Sequence, residues 1–388
     1  MNAFQFQNPT KIVFGPDTVE KLGELVQPFG KTVLLVYGSG SIKRTGLYDR
    51  VLSQLNGIGA KVLELPNVEP NPRLTTVKKG IEISRTHKVD FILAVGGGSV
   101  IDAAKAVAAG VPYEGDVWDF CIRKAVVREA IPLGTILTLA ATGSEMNGNA
   151  VVSNWEEQQK RGLGSPHLYP KFSILDPTLT YTVPQDQTVN GTVDIMSHVF
   201  EQYFSRTADT PLQERFCESI LLTVIENAAK ALAVPDDYAA RANLMWAGTM
   251  ALNGGLISVG VQNDWASHGI EHEISAIYDI PHGAGLAVVF PNWMKAVFQE
   301  RLDRFVQYAV RVWGIDPTGK TDEETALAGI AATRAFFTSI GAPSRLADFG
   351  IGSEHLDRMA EEAVRFGSIG SFKKLEKQDV RDILELSL

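Results

Sequence analysis

Residues 90–108, DFILAVGGGSVIDAAKAVA, decide the fold of this chain. Phe91 to Val95 is an unbroken apolar run, the pattern of a strand buried on both faces of a parallel sheet. It ends in Gly96-Gly97-Gly98-Ser99, and a helical pattern begins at once. Glycines let the backbone approach a phosphate closely, and a helix N-terminus offers free N–H groups and the positive end of its dipole. A plain strand-to-helix turn would use similar residues. Strand, Gly-Gly-Gly-Ser and helix in series favour phosphate binding, although the run is neither a P-loop nor a GxGxxG fingerprint. Asp102 and Lys105 read as helix-surface residues, with Asp102 also suiting the dipole of the first turn.

Outward from this unit the same rhythm repeats. Strands are predicted at 11–15, 32–38, 60–68, 131–139 and 171–177, besides 90–97. Helices are predicted at 42–58, 72–87 and 99–110, and a hairpin at 150–162. Alternation of this kind argues an open, doubly wound, mostly parallel α/β domain. After Pro184 the pattern becomes helical: 186–205, 211–233, 237–253, 261–277, 283–299 with an interruption at Pro291, 301–313, 321–340 and 353–366. The expected organisation is an α/β domain over 1–183 and an all-α domain over 184–388.

Two further strand exits carry ligand-type residues. YGSGS (37–41) places Gly38, Ser39 and Ser41 where such a sheet presents the adenosine end of a dinucleotide; a tight turn is the plainer reading. TLAATGSEMNGNA (138–150) offers Thr138, Thr142, Ser144 and Asn147. Three Gly/Ser/Thr-rich exits on one sheet edge describe a nucleotide site.

Composition narrows the function classes. A net charge of −9 without any basic cluster argues against nucleic-acid or anionic-membrane partners. Two cysteines imply no disulfide framework and suit the cytoplasm. The first residues lack a signal-peptide pattern, and no apolar run is long enough to span a membrane.

The second half holds a different chemistry. Of seven histidines, four fall between 198 and 282. Asp194 and His198 are spaced i, i+4 in NGTVDIMSHVFEQYF, as are His268 and His272 in WASHGIEHEISAIY; His282 follows in DIPHGAGLAV. Such spacing puts paired side chains on one helical face. Three imidazoles and one carboxylate can close round a divalent metal and leave a position open, with Fe²⁺ and Zn²⁺ both suited to the donor set. Helix-face hydrogen bonds are the competing reading.

GGGSVIDAAK, TLAATGSE, the D-x3-H pair and H-x3-H-x9-H ending in PHG together resemble the iron-containing (group III) alcohol dehydrogenase family, in the branch of butanol dehydrogenases and NADPH-dependent aldehyde reductases. The resemblance spans nearly the whole chain. It implies a dehydroquinate synthase-like architecture and a metal, iron before zinc, held by Asp194, His198, His268 and His282. His272 matches a position facing substrate or nicotinamide. Gly97, Gly98 and Ser99 match the pyrophosphate loop, and Thr138, Thr142, Asn147 and Lys160 match positions lining the cofactor. Many relatives carry a carboxylate where Gly38 stands, and many carry Gly where Ser275 stands.

The resulting expectation is a metal-dependent, NAD(P)-linked alcohol dehydrogenase or aldehyde reductase acting on short-chain aldehydes or primary alcohols. His272 is the expected proton relay. NADP(H) is preferred over NAD(H), because Gly38 removes a carboxylate that would repel a 2′-phosphate, and Lys43 or Arg44 could meet it. A homodimer pairing through the first strand is expected. The alternatives are a polyol (glycerol-type) dehydrogenase and a dehydroquinate synthase-like lyase. The lyase would need cations around the metal, and this sequence has almost none there. A nucleotide-binding regulator would have no use for the metal constellation.

Overall fold

The computed structural model describes residues 1–388. Its strands are β1 (Lys11–Phe14), β2 (Thr32–Tyr37), β3 (Lys61–Leu65), β4 (Phe91–Gly96), β5 (Leu133–Leu137), the hairpin β6 (Asn149–Asn154) and β7 (Gln159–Gly164), and β8 (Phe172–Leu175). All except the hairpin form one parallel sheet in the order β1-β8-β5-β4-β2-β3, and β6 pairs antiparallel with β7. Every residue of β4 is buried.

Burial on both faces follows from the strand period. Leu34, Val36, Ile92 and Ala94 point into a core shared with helices α2 (Leu74–His87) and α3 (Gly98–Gly110). Their neighbours Val33, Leu35, Leu93 and Val95 point into a second core against α1 (Leu47–Gly57). The chain runs from β2 outward to β3, then returns to β4 on the other side and continues to β5. The strand order therefore reverses between β2 and β4, where a doubly wound sheet binds ligands at its carboxyl edge. The turns after β2 and β4 are YGSGS and GGGS.

The predicted helix 42–58 is two pieces, a single turn at Ser41–Arg44 and then α1, with Gly46 between them at φ 76°. A larger correction concerns Lys105. It is fully buried, not on the helix surface. Its Nζ donates to Ser144 Oγ (2.9 Å), Asn147 Oδ1 (3.2 Å) and the Asn149 carbonyl (2.7 Å). Asp102 accepts from Ser144 Oγ (2.6 Å) and from the Val151 N–H (2.9 Å). Burial pushes the Lys105 ammonium down to about 8, against the opposing pull of Asp102 and Glu145. This polar network ties α3 to the 142–151 segment.

The remaining long helices are α4 (Gln185–Tyr203), α5 (Pro211–Ala233), α6 (Tyr238–Ala251), α7 (Ala266–Tyr278), α8 (His282–Val297), α9 (Leu302–Trp313), α10 (Asp322–Ser339), α11 (Leu356–Ala363) and α12 (Lys377–Glu385). Pro291 does not interrupt α8, which is buried on both sides of it and continues through the missing N–H. α12 had no counterpart in the sequence reading. No helix is long and apolar enough to cross a membrane.

The chain divides into two compact units. One comprises Met1–Phe6, Pro184–Ala233 and Gly255–Leu388, and is helical. The other comprises Gln7–Val183 and Val234–Gly254, and holds the sheet. α6 thus packs with the sheet unit: Thr249 Oγ1 donates to the buried Glu145 (2.6 Å), and Asn147 Nδ2 donates to the Leu252 carbonyl (3.0 Å).

Removing the Lys105 cation while keeping its network buried should be costly. Lys105→Ala is expected to lower unfolding stability by about 3–5 kcal/mol, because Asp102 and Glu145 lose their compensating charge. Urea unfolding measures this. A loss below roughly 1 kcal/mol would mean that the network is solvated rather than sealed.

Candidate metal centre

Asp194, His198 and Glu201 occupy positions i, i+4 and i+7 of α4, hence one face. That face is buried: Asp194 is 3% exposed, His198 4% and Glu201 0%. Unpaired carboxylates are expensive in such surroundings, so each needs a partner. Asp194 Oδ1 has no hydrogen-bond partner, and neither has the buried Nε2 of His268. The ligand atoms of Asp194, His268 and His282 lie within 4.8 Å of one another. Asp194 Oδ1 is 3.8 Å from His282 Nε2 and 3.7 Å from His198 Nε2. Orphaned acceptor atoms converging in a buried spot are what a divalent cation requires, and the carboxylate-imidazole donor set suits iron or zinc.

His198 stands beside this trio rather than within it. Its ring stacks on His268 with centroids 4.9 Å apart. Burial pushes its imidazole down to about 3 against the opposing pull of Asp194, and the neighbouring His268 and His282 add to the lowering. It is neutral at pH 7 and keeps a lone pair for a metal.

Glu201 was missed in the sequence, and it organises the second helix. Its Oε1 accepts from His268 Nδ1 (2.8 Å) and from the His268 N–H (3.1 Å), while Oε2 accepts from the Trp265 N–H (2.7 Å). The carboxylate thus caps the N-terminus of α7 and fixes the His268 tautomer. With Nδ1–H donated to Glu201, His268 presents Nε2 with a free lone pair. Trp265 sits at φ 70°, a strained region for a bulky residue, and its ring lies 5.2 Å from that of His268. Asp264 is pushed up to about 7, by burial first and then by the Glu201 charge.

His282 opens α8. A Cβ on the next residue, Gly283, would overlap the Asn190 carbonyl oxygen of α4. The glycine therefore lets α8 abut α4 and brings His282 to Asp194. His282 Nδ1 is hydrogen-bonded to Glu271 Oε2. Glu271, His272 and His282 form a second trio of clustered ligand atoms. There, however, Glu271 Oε2 and His282 Nδ1 are already hydrogen-bonded to each other. His272 lies 5.4 Å from His282, ring to ring, and is only partly buried. Ser275 does not border an open pocket; it is buried, and its hydroxyl is turned onto Glu271.

In the sheet unit the Gly97-Gly98-Ser99 turn joins β4 to α3. Gly97 precedes α3, and Gly98 and Ser99 form its first turn. A Cβ at Gly98 would overlap the Thr142 side chain, which packs the loop against the β5 exit. Ser99 Oγ donates to the Pro70 carbonyl. Thr138 and Thr142 are partly exposed at that exit. Lys160 is buried at 4% exposure on β7. Asn147 is buried; its amide donates to the Gly143 and Leu252 carbonyls (2.8 and 3.0 Å), and its Oδ1 accepts from Lys105 Nζ and the Asn149 N–H.

At the other turn, Ser39 and Ser41 are exposed, and a Cβ on Gly38 would make only ordinary contacts, the nearest 3.7 Å from the Val68 carbonyl oxygen. Lys43 lies over the Tyr48 ring at 4.5 Å, with its Nζ 3.9 Å from Glu64 Oε2. Glu64 accepts from Tyr37 (2.5 Å) and Tyr48 (2.7 Å).

Comparison with known proteins adds the following. Residues 9–177 match the family described as iron-containing alcohol dehydrogenase, and residues 188–388 match the Fe-containing alcohol dehydrogenase family, C-terminal. The chain is 55% identical, over all of both chains, to the probable NADH-dependent butanol dehydrogenase 1 of Bacillus subtilis. It is 42% identical to the NADPH-dependent aldehyde reductase YqhD of Escherichia coli, over 95% of this chain and 94% of that one. The crystal structure of NADH-dependent butanol dehydrogenase A from Thermotoga maritima superposes with a TM-score of 0.96 at 44% identity, covering 100% of this chain and 99% of the other.

If Glu201 fixes the His268 tautomer, Glu201→Ala should weaken Zn²⁺ binding by about 10–100-fold in chelator competition. Gly283→Ala should weaken it by pushing His282 away from Asp194. Wild-type affinity in both variants would separate these residues from the metal centre.

Proposed function

This chain belongs to the iron-containing alcohol dehydrogenase family, and from that membership we propose how its residues divide the work of an NAD(P)-linked alcohol dehydrogenase and aldehyde reductase. The observation that carries the reading is the buried convergence of partnerless Asp194 Oδ1 and His268 Nε2 with His282. Asp194, His198, His268 and His282 would hold the divalent metal, Fe²⁺ before Zn²⁺. When bound, that ion supplies Lewis-acid polarisation of a carbonyl or alcohol oxygen. The nicotinamide supplies or accepts the hydride.

The chain's own groups do the rest. Asp194 offsets part of the cation's charge inside a buried site. Glu201 and Glu271 hold two imidazoles with Nε2 forward. Gly97, Gly98 and Ser99 open α3, whose free N–H groups would receive the pyrophosphate. Aldehyde reduction consumes one proton besides the hydride. His272, one turn beyond His268 and partly exposed, would hold that proton on its imidazole and release it to the product oxygen. The Trp265 ring beside His268 and His198 supplies an apolar wall suited to a short aliphatic aldehyde. A polyol dehydrogenase or a lyase acting on a phosphorylated acid fits this wall less well.

Three finer readings are proposed. The enzyme is a homodimer paired through β1, an edge strand of the sheet. It is cytoplasmic, in keeping with two buried unpaired cysteines. It prefers NADP(H), because Gly38 carries no carboxylate and the exposed, solvent-screened pair of Lys43 with Glu64 yields readily to a 2′-phosphate. The relatives' names point both ways, NADH for the Bacillus subtilis protein and NADPH for the Escherichia coli one.

The metal reading is tested with butanal and NADPH. His268→Ala should lose the metal by elemental analysis and lose reduction with it. His272→Ala should keep stoichiometric metal and lose turnover by about 10²-fold. Metal-free protein that still reduces butanal at the original rate would overturn the reading.

Cofactor preference is tested by the ratio of kcat/KM with NADPH to that with NADH. The ratio should exceed one in the unmodified enzyme. Gly38→Asp should lower it by at least roughly tenfold through like-charge repulsion. Glu64→Gln should raise it by releasing Lys43. A ratio below one, unmoved by either substitution, would leave the 38–44 turn without a role in the choice.

A further inference from the structure

Glu271 and Ser275 lie one turn apart on α7, on its inward face. Glu271 is completely buried, and Ser275 is 1% exposed. The two carboxylate oxygens of Glu271 have different partners. Oε2 meets His282 Nδ1, and Oε1 meets the Ser275 hydroxyl. Ser275 Oγ also lies 3.2 Å from the Ile280 carbonyl, at the turn between α7 and α8. The carboxylate occupies a slot that a glycine keeps open. A Cβ on Gly285 would stand 2.8 Å from Glu271 Cγ and 2.9 Å from Oε1.

We propose that Ser275 is a positioning residue for the metal centre, acting through Glu271 on His282. The chemistry turns on one proton. A neutral imidazole carries its hydrogen on Nδ1 or on Nε2, and only the Nδ1–H form leaves Nε2 free for a metal. Glu271 accepts that hydrogen and selects the form. A glutamate side chain has three rotatable bonds, and its carboxylate faces His282 only while something fixes its rotation. The Ser275 hydroxyl does so by donating to the other oxygen, and Gly285 does so by leaving the slot empty. His268 is held differently, since Glu201 is fixed by two backbone N–H groups at the start of α7. The two imidazoles are therefore preorganised by independent devices, one built on backbone and one on a side chain. The inference rests on the reading that His282 is a metal ligand.

The test is Zn²⁺ affinity by chelator competition, with the visible absorption of the Co²⁺-loaded protein as a second readout and circular dichroism as a check of folding. His268→Ala serves as the reference for a lost ligand. Glu271→Ala should weaken Zn²⁺ binding by about 10–100-fold. Ser275→Ala should weaken it roughly 3–10-fold and change the Co²⁺ bands, because a second-sphere loss alters ligand orientation. Ser275→Thr keeps the hydroxyl and should restore wild-type affinity and bands. Gly285→Ala removes no hydrogen-bonding group, yet should behave like Ser275→Ala by displacing the carboxylate. Wild-type affinity and bands in folded Ser275→Ala and Gly285→Ala, with loss in His268→Ala, would overturn this inference and leave the metal reading standing. Retention of metal by His268→Ala itself would overturn the metal reading instead.

Discussion

The helical unit depends on a buried carboxylate, Glu201, gripping the start of another helix. It accepts from two backbone N–H groups of the α7 entry and from the His268 ring. A charge with no exposure is tolerable only when its lone pairs are filled. Here the filling groups also fix where α7 begins, how Trp265 is bent and which nitrogen of His268 faces Asp194. Stability and site geometry are consequently one arrangement. The strained backbone of Trp265 is held by the contact that orients the imidazole, a common pattern where a fold over-determines a functional position.

The same economy recurs elsewhere. Gly283 lets α8 approach the α4 backbone, and that approach carries His282 to the carboxylate of Asp194. In the sheet unit, Lys105 and Asp102 lock α3 to the segment leaving β5. The Gly97-Gly98-Ser99 turn is thereby supported by buried polar contacts and not by its own backbone alone. Rigid support of this sort limits how far reacting groups stray from alignment, which counts for several kcal/mol of a catalysed barrier.

The clustering of Asp194, His268 and His282 was legible in the sequence because chance rarely places imidazoles at i, i+4 in apolar helices. The six parallel strands were legible, the inner ones as near-continuous apolar runs and the less buried edge strands β1 and β3 from their place in the β-α-β rhythm. What escaped notice was polar but structural. Glu201 lies seven residues after Asp194, on the same helical face, so its placement was readable; a glutamate in a helix simply resembles a solvated charge. Lys105 sits in AAKAVAA, and apolar neighbours all round should have signalled burial. Pro291 lies in VVFPNW, where similar surroundings carry a helix through a missing hydrogen bond. The hydrogen bonds of Asn147 run to Lys105 and Leu252, contacts that sequence spacing cannot reveal. The pairing of Lys43 with Glu64 is equally non-local, since it depends on the register of β2 with β3.

An anomalous difference map from crystals of the Zn²⁺-loaded protein tests the metal assignment. A single strong peak per chain is expected, coordinated by Nε2 of His268 and His282 and the carboxylate of Asp194, with His198 completing the set. Both Nδ1 atoms should remain on Glu201 and Glu271. A peak coordinated by Nδ1 of His282 or by His272, with Asp194 unligated, would contradict it.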